Sequence, residues 1–529
     1  MEQKIRIGVV INSLALPAWK VMLLKKIAGD KAVEIVAILM SAPGKKQPKG
    51  GIGLWSWHMQ LDTNHFKPKQ KAFKISPIDH HFENLQKIRL DNLQAIGACL
   101  LDVVICLDKT RIADEIYGLV KHGVMYFAHG PDGKSNERLL GYWEFIKMQE
   151  VITSSLVIKV SSDHPAKVIY QTWSMMPTMS MSRSRNKHMW KMTSFIPRAL
   201  KEFCSIGSLA FFKKISKNKA LAINPGETKS VTPSGFRSFI NLVNHFNRMA
   251  YNAVRKLLYR EQWILLIDRK PALSTAFKDF KKILPPKNSF WADPFLVENK
   301  GRLFLFFEEL FYTTNKGHLA VMEILPDSFG PVQIVLEQPY HLSYPFVFQH
   351  EDKWYLIPES CEAKTIQLYE CTDFPTGWKH KMNLMENICG MDTTLFYYEN
   401  KWWLFSAIAE TPGASHHDEL CLFYADTPLT NKWTAHPKNP IITDVRTARP
   451  AGRLFWQDGQ LIRPSQDCSK KYGYGFNLNI IEVMTETEYR EKQWKHVRPD
   501  WDKKLKRTHS IASESGVTVI DGLIQRRKY

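Results

Sequence analysis

Apolar positions along this chain follow two different rhythms. Through residues 1–205, short apolar runs alternate with segments of helical spacing. "IRIGVVIN" precedes "AWKVMLLKKIAG" and then "VEIVAILM"; further on, "LQAIGACL" leads into "DVVICL" and "GVMYFAHG". This alternation predicts a Rossmann-type α/β domain, a mostly parallel sheet with helices on both faces, whose ligands sit beyond the carboxyl ends of the strands. No GxGxxG follows the first strand, so the dinucleotide fingerprint is absent.

From residue 262 the pattern is all-β and it repeats. "FWADPFLVENKGRLFLFFEE", "LSYPFVFQHEDKWYLIPES", "GMDTTLFYYENKWWLFSAI" and "ARPAGRLFWQDGQLIRPSQ" each hold a short strand, a polar turn and a second strand ending in a polar residue. A third strand follows each: "HLAVMEIL", "TIQLYECT", "ELCLFYADT" and "LNIIEVMT". Anchor positions Asp293, Tyr344, Asp392 and Arg449 lie 51, 48 and 57 residues apart. Strands in a meander at this period predict a β-propeller. The C-terminal "SGVTVIDGLIQRRKY" supplies inner strands with no third strand after them, and "EQWILLIDRK" at 261–270 is a strand with no partner before it. Pairing the two closes a ring of five blades and leaves no exposed edge.

Innermost strands of a propeller all start near one mouth of the channel. Asp293, Tyr344, Asp392, Arg449 and His509 therefore point at a shared pocket, with Glu309, Glu359 and Gln466-Asp467 at the ends of second strands. Asp293, Asp392, Glu309 and Glu359 are the candidate catalytic carboxylates. Tyr344, Arg449, Arg463, Gln466, Asp467 and His509 are candidates for holding a substrate.

Between the two rhythms lies a basic connector, residues 206–260. "SKNKALAINPGETKSVTPSG" reads as a flexible loop. After it, Phe236, Phe239, Ile240, Val243, Phe246, Ala250, Val254 and Leu257 recur at helical spacing, an amphipathic helix with a basic polar face. Such a helix either docks on a neighbouring domain or lies on an anionic membrane. Of the chain's formal charge of +20, residues 181–260 hold 16 Lys and Arg against Glu202 and Glu227, a local +14. That asymmetry points to a negatively charged partner surface or a solvated connector. No nucleic-acid motif accompanies the charge.

The 529 residues bound the chain at two to four domains, and 44% hydrophobic content describes a packed globular protein. No apolar run of spanning length occurs, and the N-terminus reads as a first strand and not as a signal peptide. Eight cysteines with no CxxC pair indicate neither a zinc site nor a disulfide framework. A reduced protein is expected, in the cytoplasm, with the inner face of a membrane within reach of the basic segment. His416-His417-Asp418-Glu419 lacks a second ligand cluster and reads as a surface loop, so no metal site is expected.

Three sets of motifs carry resemblances. "ADPF", "MDTTLFYYENKWWLF" and "WTAHPKNPI" resemble the five-bladed propellers of arabinanase and β-xylosidase-type glycoside hydrolases. In that family a general-base Asp sits in the first blade, a pKa-tuning Asp in the third and a general-acid Glu in the fourth. The resemblance assigns the first role to Asp293 and the second to Asp392. The fourth-blade position is Arg449-Pro450, with no carboxylate, and glycosidic hydrolysis normally uses two. Either Glu309, Glu359 or Asp467 supplies the acid, or the site is not a standard hydrolase. Over 262–529, "FWADPF", "SYPFVF", "IPES", "DTTLF" and "RPAG…RPSQDC" are similar to the N-terminal propeller of plant glucosamine inositolphosphorylceramide transferases. This second resemblance implies work on glycolipids or surface polysaccharides, with a sugar, nucleotide sugar or lipid-linked glycan as partner. In the plant proteins, sugar transfer belongs to a separate domain.

"DVVICLDKTRIADEI" followed by "GVMYFAHGPDG" resembles the formyltransferase fold, which uses an Asn, a His and an Asp and takes N10-formyltetrahydrofolate as donor. His129 matches the histidine and Asp163 of "SSDHPAKVI" the aspartate. The asparagine position is Phe127, which cannot donate the hydrogen bond that an oxyanion needs, a loss of about 2.7–4 kcal/mol. The domain is then either a degenerate one kept for binding or docking, or an unusual enzyme. Three functions remain open: carbohydrate chemistry in the propeller pocket for cell-surface glycan or glycolipid assembly, sugar N-formyl transfer with a glycan-binding propeller, and a non-catalytic glycan scaffold.

Overall fold

A computed structural model describes residues 4–41, 53–78, 80–108, 110–225, 232–270, 273 and 276–528. Two compact units emerge: Met1–Arg248 with Glu410–Ser415, and Met249–Ala409 with His416–Tyr529.

In the first unit an eight-stranded sheet runs in the order Ala220–Leu221, Ala166–Met175, Val151–Lys159, Val124–His129, Val103–Cys106, Ile5–Ile11, Val33–Met40, Gln86–Arg89. The last five strands are parallel, as the alternating pattern requires. Past His129 the sheet turns antiparallel, with Val124 opposite Lys159 and Val151 opposite Met175. The boundary expected at residue 205 falls inside the helix Phe195–Ser216, which bends at Gly207 with φ 77°. Phe211 and Ile215, beyond that bend, are buried and hold the segment to the first unit. Part of the expected loop, residues 226–231, lies outside the described residues.

The helix expected after that loop is present, Gly235–Leu258. Its inward face is the polar one: Ser238, Asn241 and His245 are buried beside Leu242. His245 Nδ1 lies 2.8 Å from His58 Nε2, and its Nε2 lies 3.0 Å from the Met179 carbonyl.

The second unit is the five-bladed propeller. Four blades are consecutive four-stranded meanders, beginning at Ser289, Ser343, Gly390 and Phe455. The fifth mixes both ends of the unit: Ile511–Glu514 innermost, then Val517–Arg527, Tyr259–Arg269 and Lys281–Ile283. Tyr259–Arg269 pairs with the C-terminal strand without a slip, from Tyr259↔Arg527 to Arg269↔Val517. Ile264, Leu265, Leu266 and Ile267 are buried along this closure. Burying such side chains is worth about 1.5–3 kcal/mol each, and their sum rivals the roughly 5–15 kcal/mol of a whole domain. A chain truncated before Val517 should therefore fail to accumulate as soluble protein. Recovery of a soluble monomer with an unchanged thermal midpoint would refute closure as the source of stability.

Candidate active site

Three inner strands carry the same irregularity at the same place. Asp293, Tyr344 and Asp392 have φ of 51°, 48° and 52°, left-handed values that side-chain-bearing residues rarely adopt. At each, the pairing with the second strand skips: Ala292↔Glu308 is followed by Phe295↔Phe306, Ser343↔Glu359 by Phe346↔Ile357, and Met391↔Ala407 by Thr394↔Phe405. These are β-bulges, which re-aim a side chain out of the ladder. A strained bulge repeated in three blades marks the place where the ring delivers its side chains inward.

Asp392 and Arg449 form the centre's ion pair. Arg449 donates through Nε to Asp392 Oδ2 at 2.6 Å and through Nη2 to Oδ1 at 3.0 Å, and both side chains are buried. Gln466 Nε2 donates to the same Oδ2 at 2.7 Å. His417 Nδ1 lies 2.9 Å from Arg449 Nη1, and the Tyr472 ring sits 4.8 Å from the guanidinium carbon. Burial works against the guanidinium charge, but Asp392 outweighs it and holds the Arg449 proton well above the usual range. Tyr344 is locked among three blades: its hydroxyl accepts from the Gly452 N–H at 2.8 Å and lies 2.9 Å from Thr394 Oγ1.

Beside this pair sits a second cluster. His509 Nδ1 lies 2.5 Å from Asp521 Oδ2, and His509 Nε2 lies 3.3 Å from Asp293 Oδ1 and 2.9 Å from the Tyr472 hydroxyl. Trp263 stacks on the imidazole at 4.3 Å. Gly473, with φ 64°, packs closely here: a Cβ would stand 3.1 Å from both His509 and Trp263. Burial disfavours the imidazolium, yet Asp521 and Asp293 outweigh it and raise the His509 pKa. Asp521, held by His509 and Ser510, stays below the usual carboxylate range despite its burial. Asp293 goes the other way: burial pushes it up to about 7, against the pull of His509. No donor among the described residues is aligned on Asp293 Oδ1, although the carboxyl is enclosed. The ligand atoms of Asp293, His509 and Asp521 lie within 4.8 Å of one another, close enough to hold a cation.

Glu308 joins this group, a residue absent from the sequence candidates. Its pKa is raised well above the ordinary value by burial first, then by the carboxylates of Asp293, Glu359, Asp392 and Asp521. His341 Nε2 stands 3.4 Å from its Oε1, and a Cβ on Gly317 would come within 2.7 Å of that oxygen. Glu359 is also raised, by burial and Asp392, while Ser343 Oγ donates to Oε2 at 3.0 Å and the Cys361 N–H to Oε1 at 2.7 Å.

Other candidates lie elsewhere. Glu309 takes the Trp291 indole N–H at 2.9 Å and faces His318 at 3.3 Å; these bonds hold it below its usual pKa against burial. Successive side chains of a strand point to opposite faces, so Glu308 and Glu309 cannot both reach the centre. Asp467 likewise pairs with His496 at 2.9 Å while its neighbour Gln466 reaches Asp392. Arg463 makes a buried two-pronged contact with Glu491 at 2.7 Å in the outer part of its blade. His416-His417-Asp418-Glu419 is not a surface loop: Asp418 and Glu419 are buried and His417 meets Arg449. The cysteine expectation changes at one place. Cys361 and Cys389, 28 residues apart, are joined as a disulfide, with His416 Nε2 at 4.0 Å from the Cys389 sulfur. A spacing set by the step from one blade to the next leaves no local motif.

In the first unit, Phe127 stands edge-on to Trp19 at 5.8 Å. His129 Nδ1 and His188 Nε2 each lie 2.8 Å from Ser154 Oγ. Asp163 is exposed in the turn after Lys159, and Lys159 pairs with Val124, at the far end of the strand from His129. The structure thus separates Asp163 from His129 and surrounds Phe127 with an apolar neighbour.

Residues 276–513 match the family model of the N-terminal domain of glucosamine inositolphosphorylceramide transferase 1. The glucosamine inositolphosphorylceramide transferase 1 of Oryza sativa subsp. japonica is 38% identical over 208 residues, 39% of this chain and 28% of that protein. The Arabidopsis thaliana protein of the same name is 35% identical over 208 residues, 39% of this chain and 27% of its own length. The chain spans little more than a quarter of these curated relatives. Among solved structures, Zg3597, a family 117 glycoside hydrolase of Zobellia galactanivorans, aligns with a TM-score of 0.32 at 10% identity over 50% of this chain and 91% of that one. The GH62 α-L-arabinofuranosidase catalytic domain of Coprinopsis cinerea aligns with a TM-score of 0.34 at 11% identity, covering 51% and 97%. The fold assignment rests on the strand pairing itself.

Proposed function

We propose that the propeller centre is a carbohydrate-active site that makes or breaks a bond at a sugar's anomeric carbon, in the assembly of a cell-surface polysaccharide or glycolipid. The observation that carries this is the pairing of Asp293, pushed up to about 7 by burial, with Glu308, which burial and its acidic neighbours raise well above the ordinary value. A carboxyl driven toward its protonated form beside one that ionises near pH 7 lets one site run acid and base chemistry together. Glu308, driven toward its protonated form by burial, gives its proton to the departing oxygen. Asp293 takes the proton of the incoming hydroxyl, and the sugar carbon exchanges one C–O bond for another. Glu308 thereby fills the acid role that the fourth blade leaves open. Similarity to proteins named as glycolipid transferases supports the substrate class.

The two groups titrate together, so a rate profile reports the pair. Turnover should rise as Asp293 ionises near pH 7 and fall once Glu308, whose pKa burial raises, gives up its proton. The test is a panel of aryl glycosides and nucleotide sugars offered to the full chain and to its Asp293→Asn, Glu308→Gln and His129→Ala variants. Loss of turnover in the first two with His129→Ala near wild type supports the reading. Loss only in His129→Ala would move the chemistry to the first unit. Sugar binding without turnover in any form would leave a glycan-holding scaffold.

A further inference from the structure

The helix Gly235–Leu258 shows its apolar side to solvent. Phe236 is 77% exposed, Tyr251 67%, Leu257 66% and Val254 56%, with Phe239 and Phe246 more than half exposed between them. These positions follow the helical period and make one stripe along 24 residues, about 36 Å. The polar side chains that normally face water are those that hold the helix to its body: Ser238, Asn241 and His245 are buried. Among the described residues no helix is long and apolar enough to cross a membrane. The arrangement is therefore a surface stripe, much longer than the scattered exposed apolar residues normal in a soluble protein.

We infer that this helix lies along an anionic lipid bilayer, with Phe239, Phe246, Val254 and Leu257 among the acyl chains and basic groups at the headgroups. The commitment to lipid rests on charge. Arg237 and Lys256 are exposed on the helix itself, and residues 181–260 carry 16 basic against 2 acidic side chains. A second copy docking on the same face would bring two such segments together and repel; anionic lipid attracts both the apolar stripe and the basic segment that carries it. This inference does not depend on the chemistry proposed for the propeller.

Flotation of the full chain with phosphatidylcholine vesicles, with and without phosphatidylglycerol, tests it. Binding should require phosphatidylglycerol and weaken with added salt. A Phe239→Ser/Phe246→Ser variant should bind tenfold or more weakly, since two aromatic side chains no longer leave water. Its thermal midpoint should match wild type, because both rings are already exposed. An Arg237→Gln/Lys256→Gln variant should lose salt dependence first. Equal partition to neutral vesicles, no partition to either, or binding indifferent to the serine pair would overturn the inference. A stable dimer dissolved by the serine pair, with no vesicle binding, would assign the face to a second copy.

Discussion

Arg449→Met should cost the propeller about 3–5 kcal/mol, the penalty for leaving one member of a buried pair without its partner. Asp392 is fully enclosed, takes two guanidinium bonds, and among the described residues would keep the Gln466 amide. For a unit of this size each kcal/mol moves the midpoint by about 2–4 °C, so calorimetry should show a fall on the order of 10 °C. Arg449→Met combined with Asp392→Asn should recover much of that loss, because no unpaired charge stays behind. A drop of under about 2 °C in the single variant would mean that the pair is open to water and does not organise the centre.

Asp293→Asn is expected to remove most of the sugar chemistry, roughly 10²–10⁴-fold for a lost general base. Glu308→Gln should do the same for the acid with a small effect on the fold, since the amide keeps the shape of a carboxyl that burial drives toward its neutral form. The stability effect of Asp293→Asn has the opposite sign to its effect on rate. Burial raises the folded pKa of Asp293 to about 7, above the unfolded value of about 3.9. The native state thus binds a proton that the unfolded chain gives up across this window. Stability from this group is full below the unfolded value and is lost as pH rises through the folded one. The asparagine has no such slope, so the variant should melt higher than wild type above pH 7 and closer to it in acid. Kinetics together with pH-dependent melting separate the outcomes: a variant that is inactive and less stable at pH 8 would make Asp293 a structural partner of His509 and not a base.

Much of the architecture could be read from pattern. The four repeated segments place three strands each, and the unmatched apolar runs near residue 264 and residue 519 predict the pairing that closes the ring. Asp293, Tyr344 and Asp392 were recoverable because each holds the same station in its blade, and the bulge there is a repeated local event. Asp521 had a weaker signal, a lone carboxylate inside the apolar run "VTVIDGLI", where a charge is tolerated only with a partner. Tyr472 and His417 come from connections between second and third strands that are longer than residues 312–315 of the first blade, so matching the strands does not nominate them.

What the sequence determined by itself is the set of elements and their period, because alternation and turn chemistry are properties of neighbours in the chain. Tertiary structure decided which side of each element faces inward. Glu308 and Glu309 are adjacent and chemically alike, and only the strand register, set by the bulge opposite them, sends the first toward Asp293 and the second toward Trp291 and His318. The helix at 235–258 poses the same question in another geometry. Its spacing shows two unlike faces, but that Asn241 and His245 turn inward depends on His58, Tyr142 and the Met179 carbonyl waiting for them. Burial is a relation between segments distant in the chain, and a one-dimensional pattern holds the preference of a side chain without holding the partner that settles it.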